Sequence, residues 1–293
     1  MFFLSTKTIT TREHISQRAV IIMFAAVIPV KNEAESLEQV VYNLAANSLE
    51  LIIPVLNGCT DNSLSVLEHA HCPILAPFCF KEPLGIDVPR AVGALIARKL
   101  DVEGVIFVDG DMAGANSTVL GKLIKAVRQG VDLALTDCYP PYFYRHLSPQ
   151  ASYLLDIRRK LNNELGILHL IGSATPSHGP HAVSGRMLRM TEIADFAIPP
   201  LLLVNAARHG LTVSPEAALP HLMLGSPARS GDHARRIVET IIGDYLTALQ
   251  VPNGKPGDRT FAGYDYIGYH DQRRFDLLED FASGIITGDC FGG

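Results

Sequence analysis

The stretch that most constrains the fold of this chain runs from residue 105 to residue 112 and reads Val-Ile-Phe-Val-Asp-Gly-Asp-Met. Its four apolar residues predict a buried strand, which ends directly in two carboxylates, Asp109 and Asp111, separated by Gly110. Ligands of open α/β sheets collect at the carboxyl ends of strands, and a hard divalent cation that carries phosphates takes one or two protein carboxylates. The alternative is a plain polar turn, and the flanking sequence helps to decide between them.

Strands and helices are predicted to alternate around this stretch. Further apolar runs predict strands at residues 24–30, 51–55, 73–80 and 132–136. Apolar residues at helical spacing predict helices at residues 37–44, 64–70, 85–100 and 117–129, with Asp87 as the cap of the third. This order indicates an α/β fold with a mostly parallel sheet flanked by helices on both faces.

Composition excludes several classes of protein. A hydrophobic content of 47% and a charged content of 19% exclude a disordered chain, and a net charge of -5 argues against nucleic-acid binding. The apolar run at residues 19–30 is too short to span a bilayer. Five cysteines without a CxxC pair favour a reducing compartment and oppose a zinc site. We therefore expect a cytoplasmic protein without a membrane span.

The domain organisation is expected to be simple. The unpatterned residues 1–22 are expected to lie outside the fold, and residues 23–225 to form one nucleotide-binding and acceptor domain. Residues 226–293 would form a small C-terminal helical lobe and a tail, in which three closely spaced tyrosines would either stack on a sugar or seal a homodimer contact.

Three motifs carry a family resemblance. They are Val27-Ile28-Pro29-Val30-Lys31-Asn32-Glu33, then Asn57-Gly58-Cys59-Thr60-Asp61-Asn62-Ser63, then Val108-Asp109-Gly110-Asp111. Their order and spacing resemble the nucleotide-sugar half of family-2-type glycosyltransferases with the GT-A fold. Residues 176–186 resemble, more loosely, the acceptor-side loop of the glucosyl-3-phosphoglycerate synthase and mannosylglycerate synthase group. The resemblance implies a glycosyltransferase that moves a sugar from a nucleoside-diphosphate sugar to a small polar acceptor.

The resemblance also implies roles for residues on the donor side. Pro29 and Glu33 would line the base and ribose pocket, and Asn57, Gly58 and Asp61 would lie at the edge of the base. Asp109, next to Gly110, would approach the ribose, while Asp111 would hold a Mn²⁺ or Mg²⁺ ion that bridges the diphosphate. Two simpler interpretations stay open: Glu33 as an acid at a helix start, and Asp61 as a helix cap.

On the acceptor side the implied contacts are His178, Gly179, His181 and Arg186. His233, on a Gly-containing loop at a helix start, is predicted as a second metal ligand, with a surface histidine as the alternative. His221 lies in an apolar stretch and is expected to be packed.

The chain departs from the family in two places. Asn57 stands where an acid is usual, and residues 196–201 hold no carboxylate near the expected acceptor. An inverting transferase needs a general base, and the nearest acids are Asp195, one residue upstream of this stretch, and Glu192, four residues upstream. Asp195 and Arg186 are the candidates for a catalytic role. The departure favours a retaining mechanism or a non-catalytic nucleotide-sugar binder. A nucleotidyltransferase is the other alternative, but it would need a Gly-rich phosphate loop where residues 29–33 stand.

Overall fold

The computed structural model describes residues 23–140, 147–227, 231–254, 257–288 and 290. The strands are β1 (Phe24–Val30), β2 (Leu51–Asn57), β3 (Phe78–Phe80), β4 (Gly104–Phe107), β5 (Leu133–Asp137), β6 (His181–Ser184), β7 (Val213–Ala218), β8 (Thr260–Phe261) and β9 (Tyr264–Asp265). The helices are α1 (Leu37–Ala45), α2 (Ser63–His69), α3 (Val88–Lys99), α4 (Ser117–Arg128), α5 (Pro149–Glu164), α6 (Leu168–Ile171), α7 (Gly185–Met190), α8 (Pro200–Arg208), α9 (Gly231–Gln250) and α10 (Phe275–Ala282). The prediction for residues 1–22 falls outside the described part of the chain.

Seven strands form one mixed sheet in the order β3-β2-β1-β4-β6-β5-β7. All neighbouring pairs are parallel except the two that involve β6, which runs antiparallel to both β4 and β5. The carboxyl ends of β1, β2, β4 and β5 therefore meet at one edge, which we call the carboxyl edge. The mostly parallel α/β fold is confirmed, although the sequence did not predict the antiparallel β6.

Both faces of the sheet are buried, which explains why its strands read as continuous apolar runs. In β1, Val27 packs into one apolar layer and Ile28 into the other. The first layer lies under α3, where Gly93 is required because an added Cβ would stand 2.3 Å from Val27. Helices α1 and α4 cover the second layer, and the predicted stripe of α1 is buried as expected.

The C-terminal segment contributes to the same core. Tyr245 of α9 is fully buried in the first apolar layer, the one under α3, and Leu278 of α10 packs into the same layer. A disulfide between Cys79 and Cys290 ties the chain end to β3 across 211 residues. This disulfide differs from the expectation of reduced cysteines. The spacing of neighbouring cysteines cannot predict a pair that is 211 residues apart. No helix within the described ranges is long and apolar enough to cross a membrane.

Candidate active site at the carboxyl edge

The loops after β1, β2 and β4 contact one another. The amide of Glu33 donates to the hydroxyl of Ser63 at 2.9 Å, which joins the first loop to the second. The amide of Gly110 donates to the carbonyl of Pro29 at 3.0 Å, and the hydroxyl of Ser36 donates to the carbonyl of Gly110 at 2.7 Å. A Cβ on Gly110 would stand 3.1 Å from Glu33. The three motifs therefore lie together, as one bound nucleotide would require.

Asp61 fastens the first two loops. One carboxylate oxygen accepts from the amide of Ala34 at 3.0 Å, and the other accepts from the hydroxyl and the amide of Ser63. Burial opposes ionisation, but the bonds from Ser63 and Ala34 outweigh it and lower the pKa of Asp61. Asn62, not Asp61, occupies the cap position of α2. A contact between Asp61 and a nucleotide base remains a prediction.

The second loop is held from its other side by the β3–α3 connection. The side-chain oxygen of Asn57 accepts from the amide of Leu84 at 2.5 Å, and its nitrogen donates to the carbonyl of Gly85 at 3.0 Å. Gly58 has a φ of +59°, and an added Cβ would stand 3.0 Å from Pro83. An amide serves at residue 57 because it bonds both a donor and an acceptor, which a carboxylate would not.

Asp109 is paired with an arginine that the sequence analysis did not single out. One nitrogen of Arg90, on α3, lies 2.5 and 2.6 Å from the two carboxylate oxygens of Asp109. Another nitrogen of Arg90 donates to Asp87 at 2.6 Å. Asp87 occupies the cap position of α3 as expected, but its φ is +62° and its side chain makes no capping bond, because its carboxylate pairs with arginines instead.

These ion pairs continue into the C-terminal segment. Arg273 lies 3.1 Å from Asp87 and 2.7 Å from Asp244, and Arg259 lies 2.7 Å from Asp244. We call the six residues from Asp109 through Arg90, Asp87, Arg273 and Asp244 to Arg259 the ion-pair chain. The side chain of Arg273 is fully buried. Negative and positive groups alternate, and the nearby carboxylates raise the pKa of Arg273 despite its burial.

Asp111 is 4% exposed and lies two residues beyond Asp109 at the same edge. Within the described ranges no three His, Cys, Asp or Glu side chains cluster as a metal site would. A divalent cation at Asp111 would therefore need ligand oxygens in addition to the protein. This fits a cation that bridges one carboxylate and a diphosphate, because Mg²⁺ is usually bound by one or two carboxylates and substrate phosphates.

The predicted acceptor residues separate in the structure. His178 and Gly179 lie at the carboxyl edge, where the carbonyl of His178 accepts from the thiol of Cys138 at 3.6 Å. His181 is the first residue of β6, is 2% exposed and stacks on Phe107 at 5.1 Å. Burial first, and then the charge of Arg90, lowers the pKa of His181 to about 3, so that its imidazole is neutral.

Arg186 is not brought to the carboxyl edge. It follows β6 at the opposite edge, where Ser184 pairs with Gly104, and it lies 3.4 Å from Asp132. Asp195 lies in the 3₁₀ turn Ile193–Ala197 and accepts from the side chain of Asn205 at 2.7 Å. Burial raises the pKa of Asp195, and the bond from Asn205 opposes the rise. Within the described ranges, neither Arg186 nor Asp195 bonds to the loops that hold Asp109 and Asp111.

The two later histidines lie in different surroundings. His233, in the first turn of α9, bonds through Nδ1 to the hydroxyl of Tyr269 at 2.7 Å; its role as a metal ligand remains a prediction. The expectation that His221 is packed is met only in part, since the residue is exposed in the 3₁₀ turn His221–Met223 while its ring stacks on Tyr139 at 5.8 Å. That turn bonds to the loop after Asp111, because the amide of Gly114 donates to the carbonyl of Leu224 at 2.8 Å.

Comparisons with known proteins support the fold. No family model and no curated protein matches the chain. Glucosyl-3-phosphoglycerate synthase from Mycobacterium tuberculosis, solved with Mn²⁺ and UDP-glucose, is similar at a TM-score of 0.58 and 18% identity, over 80% of each chain. The same enzyme with Mn²⁺, UDP and phosphoglyceric acid gives 0.56 and 18%, over 78% of each chain. A structure titled only as a mycobacterial protein gives 0.57 and 17%, over 80% of this chain and 76% of the other.

Proposed function

We propose that this protein is a metal-dependent glycosyltransferase that moves a sugar from a nucleoside-diphosphate sugar to a small polar acceptor. The observation that carries the proposal is the convergence of Asp109, Gly110 and Asp111 with the loops after β1 and β2 at the carboxyl edge. Similar folds have been solved with Mn²⁺ and UDP-glucose, which supports this class of donor.

Each residue of the site would have a separate role in binding the donor. Arg90 holds the Asp109 carboxylate through both oxygens, so that this acceptor of hydrogen bonds is fixed before a ribose arrives. Asp111 would hold the cation, with His233 as the second predicted ligand. When bound, the cation would neutralise charge on the departing diphosphate. Asp61 and Asn57 keep the two loops in place.

The proposal includes a retaining reaction. Asp195, the nearest carboxylate in the predicted acceptor region, is engaged by Asn205 and has a raised pKa from burial. In a retaining course the bond from the sugar carbon to the diphosphate oxygen breaks on the same face on which the acceptor oxygen bonds. The acceptor proton then passes to the departing phosphate oxygen, so that no protein base is required.

Isothermal titration of UDP- and GDP-sugars with and without Mn²⁺ tests this proposal. We expect Asp111→Asn to weaken Mn²⁺-dependent donor binding on the order of 100-fold, because the anionic tether of the cation is lost. Asp109→Asn should weaken nucleotide binding equally with and without Mn²⁺. Asp156→Asn, an exposed acid on α5, is the matched control and should bind as the wild type does.

Three outcomes would decide against the proposal or limit it. Donor binding that is equally tight with and without Mn²⁺ would remove metal dependence from the proposal. Equal metal-dependent losses in Asp109→Asn and Asp111→Asn would show that the two roles are not divided in this way. Tight donor binding without sugar transfer or donor hydrolysis would identify a non-catalytic nucleotide-sugar binder.

A further inference from the structure

Arg158, in the middle of α5, is a buried cation that the residues of the proposed donor site do not use. It is 2% exposed, and its Nε has no hydrogen-bond partner. Among the residues that the structure describes, its guanidinium forms no ion pair and no hydrogen bond. Buried charges in proteins are normally paired, because removing an ion from water is costly. An arginine cannot escape that cost by losing its proton.

The guanidinium of Arg158 contacts one aromatic ring, and two imidazoles stack on that ring. Its Cζ lies 5.6 Å from the ring centre of Tyr139, which follows β5. The Tyr139 ring stacks on His178 at 5.5 Å and on His221 at 5.8 Å. Nε2 of His178 and Nδ1 of His221 are 3.1 Å apart. We call Arg158, Tyr139, His178 and His221 the Arg158 cluster.

None of the four side chains in the cluster is negative, and the carboxylate next to it in sequence, Asp137, accepts from the amide of Tyr139 at 2.9 Å and forms no ion pair with Arg158 among the described residues. Burial first, and then the positive charge of Arg158, lowers the pKa of both His178 and His221, so both rings are neutral at pH 7. The stretch that follows Tyr139 and Pro140 in sequence, residues 141–146, contains no aspartate or glutamate. The contact of Arg158 with the Tyr139 ring recovers only part of the lost hydration of a guanidinium.

The cluster borders the proposed donor site. The amide of His221 donates to the carbonyl of Cys138 at 2.9 Å, which fixes the 3₁₀ turn to the end of β5. The same turn bonds through Leu224 to Gly114, three residues after Asp111. Because β4 and β5 both run antiparallel to β6, their carboxyl ends point to the same edge.

We propose that the Arg158 cluster is a binding site for a small oxyanion, a phosphate or a carboxylate. The guanidinium supplies the positive charge and a planar set of donors that matches two oxygens of such an anion. The neutral imidazoles of His178 and His221 supply further ring nitrogens. The anion comes either from the acceptor or from the donor's diphosphate. The site itself does not depend on the proposed glycosyl transfer.

Inorganic phosphate, added without nucleotide or metal, is the probe. We expect phosphate to raise the melting temperature of the wild type and to bind in isothermal titration, and we expect both signals to be lost in Arg158→Met. Without phosphate, Arg158→Met should melt at or above the wild-type temperature, since an unpaired buried charge is replaced by an apolar chain. Arg159→Met, the adjacent exposed arginine, is the matched control and should respond to phosphate as the wild type does.

Arg158→Lys provides a second variant if Arg158→Met does not fold. It keeps the charge but loses the planar fork, so phosphate should bind about ten-fold more weakly. Absence of phosphate and carboxylate binding by the wild type would overturn the proposal, as would an undiminished phosphate response in Arg158→Met. Neither result depends on Asp111 or Mn²⁺, so failure here is distinguishable from failure of the proposed donor binding.

A competition experiment identifies the source of the anion. Phosphate displaced by a nucleoside diphosphate in the presence of a chelator would assign the site to the donor's diphosphate. Simultaneous binding of phosphate and nucleoside diphosphate would assign it to an anionic group of the acceptor. Loss of nucleoside-diphosphate binding in Arg158→Met should accompany the first result and not the second.

Discussion

On the side of β1, β2 and β4, Asp109 at the carboxyl edge begins the ion-pair chain, in which charges alternate from Asp109 to Arg259. On the side of β5 and β6, the buried charge is Arg158, which stands among neutral rings. The first arrangement is complete within the protein and would hold its shape before any ligand arrives. The second lacks its counter-charge, so a ligand is needed to complete it. The carboxyl edge thus has one side whose charges are paired within the protein and another side where Arg158 can pair with an anion.

The largest expected effect is a difference in the free energy of unfolding between two arginine variants, one from each side of the carboxyl edge. Arg273→Met should lower the free energy of unfolding by about 3–5 kcal/mol, because Asp244 and Asp87 would stay buried without this partner. Arg158→Met should leave the free energy of unfolding unchanged or raise it. Urea denaturation of the two variants measures the difference. Arg235→Met, which breaks an exposed pair with Asp232, is the control and should match the wild type. Similar losses for Arg273→Met and Arg158→Met would break the comparison.

A smaller effect concerns the pH dependence of stability that His181 contributes. Its ring stacks on Phe107 of β4. Its folded pKa is lowered to about 3, while the unfolded value is near 6.5. As pH falls from 6.5 toward 3, only the unfolded state takes up this proton, so stability falls with pH in that window. His181→Phe should reduce the slope of unfolding free energy against pH by up to about 1.4 kcal/mol per pH unit.

Denaturation of wild type and His181→Phe at a series of pH values between about 7.5 and about 4 measures this slope. The variant should keep some acid sensitivity, because burial also lowers the pKa of His270 to about 4. Parallel curves for the two proteins would show that His181 is not buried as a neutral ring.

The smallest effect is expected at Asp61, which is exposed. Its pKa is lowered in the folded state, so its contribution is present above the unfolded value of 3.8 and is lost as pH falls through the folded value. Asp61→Asn should therefore lower the melting temperature slightly at neutral pH and not at all in strong acid. A difference that persists in strong acid would attribute the effect to packing and not to the charge.

Local sequence was sufficient for the framework of this protein. The β1 prediction at residues 24–30 coincides with the observed strand, and the predicted helix at residues 117–129 matches α4 to within one residue. The convergence of the three motif loops was also predictable, since the carboxyl ends of parallel strands share one edge. By contrast, only residues 78–80 of the predicted third strand form β3. That edge strand lacks the apolar alternation and length that make a strand recognisable.

The charge pairing was decided by tertiary structure alone. Asp87 is followed by a helix and so looks like a cap, but it bonds to Arg273, 186 residues away. The disulfide between Cys79 and Cys290 and the meeting of Arg158 with Tyr139, His178 and His221 also join distant segments. Sequence periodicity records which face of an element is apolar, because that property repeats every two or 3.6 residues. It does not record which charged group a buried arginine meets, or that Arg158 meets none within the described residues, because such pairing depends on how the elements pack.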